Sequence, residues 1–144
     1  IAGFHSNTRH DVRYFHIKGF GECWGDAVKA RLAAMQAGYS TRMGAALRHA
    51  GRTLCTQPAD KRLLLVLTDG QPADIDVRDE RLLLEDAKEA VRELDHQGVF
   101  TYCINLDAAA DAYVSDIFGR RYTVIENLQR LPEQLPKLFM ALTR

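Results

Sequence analysis

The chain is poor in features that commonly staple or anchor a small protein. Its 144 residues hold three cysteines, Cys23, Cys55 and Cys103, and an odd, widely spaced set does not build a secreted disulfide framework. The spacing is not that of a zinc site either, so the expectation is three reduced thiols, with Cys103 inside an apolar strand pattern and part of the core. No apolar run approaches the roughly 18–20 residues of a membrane span, and no basic segment followed by a signal-type apolar stretch opens the chain. Net charge is absent too: Lys+Arg and Asp+Glu both number 19, which argues against binding nucleic acid by phosphate neutralisation. Repeats and low-complexity segments are lacking. The opening Ile1-Ala2-Gly3-Phe4 has no initiator methionine and reads as mid-protein, so a piece of a longer cytoplasmic protein is expected.

What remains is the composition of one ordinary globular domain, 47% hydrophobic and 26% charged, long enough to bury a useful core. Residues 1–5 form a short apolar run and residues 12–20 (VRYFHIKGF) are rich in strand formers, with SNTRHD as the loop between them. Residues 26–36 are helix-like. Gly38-Tyr39-Ser40-Thr41 breaks that pattern, and a second helix runs from Met43 to Cys55 with Met43, Ala46, Leu47, Ala50 and Leu54 on one face. Arg62 to Thr68 (RLLLVLT) is a continuous apolar strand of the kind found inside parallel sheets. A helix over residues 80–97, stopped at Gly98, turns Leu83, Ala87, Ala90, Val91 and Leu94 inward. Residues 99–106 are a strand, 109–118 a short helix and 122–125 a last strand. A helical tail over 132–142 carries Leu135, Leu138, Phe139 and Leu142, and Pro136 would distort it unless the helix starts later. Alternating strands and helices indicate an α/β class: a Rossmann-like, open, mostly parallel sheet with helices on both faces.

Ligand sites in such sheets lie at the carboxyl ends of strands, where Asp69 falls. Two spots carry chemistry: the loop into a helix at residues 39–47 (YSTRMGAAL), and the buried strand ending in a carboxylate and a turn glycine at 65–70 (LVLTDG). The Thr41 hydroxyl and the Asp69 carboxylate are hard oxygen ligands suited to Mg²⁺ or Mn²⁺. The same residue types also serve as an N-cap and a turn, so spacing alone leaves both readings open. Ser40, Arg42, Gly70, Asp74 and Asp76 are the candidate rim. Arg42 is placed either to steer an acidic partner residue or as an ordinary surface charge. The run Asp74, Asp76, Asp79, Glu80 reads first as a solvated acidic loop with helix N-terminal charge. Gly19, Gly21 and Gly25 make a weak dinucleotide-type pattern better read as a flexible loop. Trp24 in that loop is a partner contact or a packed lid, and no Ser-His-Asp or Cys-His pairing has a supporting motif.

The segments TRMGAAL and LVLTDG resemble the second and third metal motifs of von Willebrand factor A-type domains. Through YFHIKGF (14–20), YSTRMGAALRHA (39–50), LLLVLTDGQPADID (63–76) and IFGRRYTVIENLQRLPEQLPKLF (117–139), the chain more closely resembles the carboxy-terminal domains of the NorD and CbbO proteins, which activate nitric oxide reductase and rubisco. The resemblance implies one domain over residues 1–144 that is a protein-interaction module and not an enzyme. It implies a MoxR-type AAA+ ATPase partner, and a metal site that grips an acidic side chain of a target enzyme. The family's first metal motif, Asp-x-Ser-x-Ser on a central first strand, has no counterpart here, so the domain is expected to be amino-terminally incomplete and any ion held by Thr41 and Asp69 alone to be weak. That motif either precedes residue 1 in the natural protein, ordered or not, or the domain is degenerate and binds no metal; the first is the expectation. Two other classes stay open: a metal-dependent hydrolase using Asp74 or Asp76 as its base, and a structural interaction domain without metal.

Overall fold

Strand-forming residues at the amino terminus fold on themselves. In the computed structural model, which describes residues 1–107 and 111–143, β1 (Ala2–Thr8) and β2 (Asp11–His16) pair antiparallel, from Ala2 opposite His16 to Thr8 opposite Asp11. The loop expected over SNTRHD is therefore shorter. Ser6 stays in the strand because its other edge also has a partner: the Ser6 and Ser40 peptides exchange two hydrogen bonds of 2.8 Å.

α1 (Asp26–Ala33) stops before Gln36, and Val28 is its one buried residue. α2 (Met43–Cys55) has the expected bounds and buries Met43, Ala46 and Leu47. β3 (Arg62–Thr68), β4 (Val99–Asn105) and β5 (Tyr122–Val124) form a parallel sheet in the order β3-β4-β5, with Arg62 beside Val99 and Thr68 beside Asn105. Between them run α3 (Glu80–His96) and α4 (Asp111–Phe118). The start expected for α4, residues 109–110, lies outside the described residues. This is the mixed α/β, Rossmann-like arrangement expected of the sequence.

The period-2 alternation of β4 selects the core face. Val99, Thr101, Cys103 and Asn105 are buried, and Val66, Val99 and Cys103 join Met43 and Leu47 of α2, Ala87, Ala90, Val91 and Leu94 of α3, and Val114, Ile117 and Phe118 of α4 in one cluster. On the opposite face of the sheet Leu67 and Phe100 are exposed. A 3₁₀ turn (Leu128–Arg130) leads into α5 (Leu131–Thr143), which runs through Pro136 where a distortion or a later start was expected. Pro136 lies just past the first turn and offers no N–H to the Pro132 carbonyl. The stripe of Leu135, Leu138, Phe139 and Leu142 forms, yet no residue of α5 is buried. No described helix is long and apolar enough to cross a membrane.

Burial pushes the Cys103 thiol up to about 12, whereas Cys23 and Cys55 are exposed. A disulfide-exchange reagent should therefore titrate two thiols in the native protein and the third only after unfolding; three fast thiols would contradict the packing of β4. The sign for stability follows from linkage. The unfolded thiol ionises first, so this group's contribution is intact at neutral pH and falls as pH rises toward about 12.

Candidate metal and interaction site

The hairpin and the three-stranded sheet are separate sheets. A groove of about 1010 Å³ opens beside the hairpin, lined by Phe4, Phe15, Ile17 and Met35 among others and also by Thr41 and Asp69. Each of these two residues is delivered by local chemistry. The apolar run of β3 ends where the Thr68 hydroxyl donates to the Gly70 carbonyl at 2.9 Å and accepts from the Gly70 N–H at 3.4 Å. This turn leaves Asp69 exposed at the strand's end. Thr41 is pinned through its backbone: its N–H donates to the Ala73 carbonyl at 2.8 Å and its carbonyl accepts from the Ala73 N–H at 3.2 Å. Ser40, next in the chain, is bonded to Ser6 on the other side. The loop between α1 and α2 thus joins the hairpin to the segment that follows β3.

The rim residues differ from one another in role. Asp74 does not belong to a solvated loop; its side chain is 0% exposed. Its Oδ2 accepts from Ser6 Oγ at 2.9 Å and from Arg42 Nε at 3.0 Å. Asp76 Oδ1 accepts from Arg42 Nη2 at 2.7 Å and its Oδ2 from the Arg9 N–H at 2.8 Å. These bonds, that from the Arg9 peptide first, hold the Asp76 carboxyl below its ordinary range. Arg42 is thereby engaged inside the molecule, its side chain 16% exposed. Gly70 contributes its peptide to the turn and Ser40 its peptide to the bridge. Asp79 caps α3 by accepting from the Arg81 N–H.

Two residues near Asp69 escaped the sequence reading. Asn105, buried at the end of β4 beside Thr68, donates through Nδ2 to the Tyr113 hydroxyl at 2.9 Å and accepts from the Asp107 N–H at 2.8 Å. Burial raises the Tyr113 phenol, and the Asp69 charge adds to the rise. The available signal was a polar Asn closing an apolar strand at the same sheet edge as Asp69. The glycine pattern at 19–25 is no phosphate cradle, because the Glu22 carboxylate already accepts from the Gly19 N–H at 3.0 Å. Trp24 is exposed, which leaves the packed-lid reading without support.

The ligand chemistry of Thr41 and Asp69 fits a hard divalent cation, and the number of ligands is incomplete. Thr41 and Asp69 offer one hydroxyl and one carboxylate, and among the described residues no three His, Cys, Asp or Glu side chains gather as a metal cluster.

The sequence pattern that defines the von Willebrand factor type A domain matches residues 15–132. Protein NorD of Brucella melitensis is 43% identical over 99% of this chain, which spans 23% of that protein. An uncharacterised protein of Pseudomonas aeruginosa is 41% identical over 100% of the chain and 24% of its own length. Protein NorD of Stutzerimonas stutzeri is 40% identical over 90% of the chain and 21% of its own length. The chain thus spans less than a quarter of the curated relatives it matches. No solved structure matches it.

Proposed function

Because this chain belongs to the von Willebrand factor type A family, we propose that it is a protein-interaction module with a partial metal-ion-dependent adhesion site. In this reading it is a non-catalytic adaptor inside a larger NorD-like protein. Its partners are a MoxR-type AAA+ ATPase and a target enzyme of the nitric oxide reductase or rubisco type, in the cytoplasm. The observation that carries the reading is that Thr41 and Asp69 line the same groove. Thr41 and Asp69 would hold Mg²⁺ or Mn²⁺. When bound, the ion supplies a Lewis-acidic position open to a carboxylate of the target. The Thr41 peptide is fixed through both its N–H and its carbonyl to Ala73, which limits where its hydroxyl can stand. The Thr68–Gly70 turn does the same for Asp69. The remaining ligands would be those of the family's Asp-x-Ser-x-Ser motif, which these 144 residues do not contain. The two carboxylates that a hydrolase reading would use as its base, Asp74 and Asp76, are both tied to Arg42.

Calorimetric titration of Mg²⁺ and Mn²⁺ into the full-length protein tests the proposal. Asp69→Ala and Thr41→Ala should each weaken binding by at least ~10-fold, the scale at which even supporting residues act in metal sites. Both should lose capture of the ATPase partner. Unchanged metal affinity and unchanged capture in both variants would overturn the metal grip, and chelator-insensitive capture would favour a metal-free interaction domain.

A further inference from the structure

We propose that Asp74 is a positioning residue for Thr41, acting through Ser6 and Arg42; the consequence for metal binding rests on the reading of Thr41 and Asp69 given above. The Asp74 side chain is fully buried, its Oδ2 takes both donors and its Oδ1 has no partner. Burying a carboxylate this incompletely satisfied is a poor way to gain stability, because apolar replacement of a buried ion pair is often neutral or favourable. The arrangement does achieve geometry. Ser6, besides donating to Asp74, accepts from the Arg42 N–H at 3.2 Å and pairs by backbone with Ser40. Ala73, the residue before Asp74, pairs by backbone with Thr41. The peptides of Ser40, Thr41 and Arg42 are therefore each held by a group that Asp74 touches or adjoins. Asp69 lies on the same loop as Asp74, so the lock also ties the Thr41 loop to the Asp69 loop. Asp74 is not itself a ligand here: Thr41 and Asp69 line the groove, and Ser6, Arg42 and Asp74 do not.

Two measurements on the full-length protein test the lock. The first is amide hydrogen exchange. In Asp74→Asn the Thr41 and Ala73 amides should exchange at least ~10-fold faster while amides of α3 stay unchanged; unchanged protection at Thr41 and Ala73 overturns the proposal whatever the metal does. The second is Mn²⁺ titration with Mn²⁺ alone as probe. Asp74→Asn should weaken binding about 10-fold, and the double variant Asp74→Leu with Arg42→Met should recover the melting temperature without recovering affinity. Recovery of both together would make Asp74 a stabilising residue only, and overturns the positioning role. If Asp69→Ala binds Mn²⁺ like the native protein, the ligand assignment fails, and the exchange result still decides the lock.

Discussion

Phe118→Ala lowers the free energy of unfolding by about 3–5 kcal/mol, the cost of emptying a well-packed aromatic site. Phe118 is the largest fully buried side chain, 1% exposed, at the end of α4, where it packs among residues of α3 and of the parallel sheet. The chain leaves it through Gly119, whose φ of 65° only glycine adopts readily, and the Phe118 carbonyl accepts from the Arg121 N–H at 3.1 Å. This anchored backbone resists collapse into the cavity, which places the loss toward the upper end of the range. Against a typical total of about 5–15 kcal/mol, that is a large share of the domain's stability. Urea denaturation should show a lower midpoint at unchanged slope. A loss below about 1 kcal/mol would mean that α4 does not seat on the sheet as described.

Gly51→Val is the second large effect, and its sign goes against helix propensity. In an ordinary helix interior, replacing glycine by alanine gains up to about 1 kcal/mol. At Gly51 an added Cβ would overlap Leu94 Cδ2 of α3, and Leu94 is 1% exposed, so its side chain or the helix must shift. One turn-pair earlier, a Cβ at Gly44 would overlap the Asp86 carboxylate, which is held by Arg48 Nη1 at 2.7 Å. The two glycines let α2 lie against α3 at close range. Overpacking of this kind costs about 1–3 kcal/mol, so Gly51→Ala should be destabilising or neutral and Gly51→Val clearly destabilising. Thermal melting of both variants checks this; a higher melting temperature for Gly51→Ala would show that the helices part easily.

Elements with a strong internal period were legible in the chain. The stripe Met43, Ala46, Leu47 and the unbroken run Arg62–Thr68 identify themselves, because every position restates the same face. The family was legible from the motifs around Thr41 and Asp69, and the relatives at 40–43% identity agree with it. The burial of Asp74 was not legible. An aspartate in a Gly/Pro-bounded acidic loop looks the same whether it meets water or a serine 68 residues away, and its partners Ser6 and Arg42 carry no periodic signature. Asn105 and Tyr113 were missed for a related reason: the register that sets Asn105 beside Thr68 is a property of the sheet. The extent of β1 depended likewise on a distant peptide, Ser40, to which no local propensity refers.

The backbone bridges from Ser6 to Ser40 and from Thr41 to Ala73 also bear on the order in which the molecule assembles. The hairpin closes through a two-residue turn, while the seam joining it to the parallel sheet must close loops of more than thirty residues, and closure entropy grows with loop length. The β3–β4 pairing closes loops of similar length, so the seam and the parallel sheet are alike non-local and both follow the hairpin. The hairpin adds only the partly buried Phe4 to the core around Phe118, so the two bridges can part without opening that core.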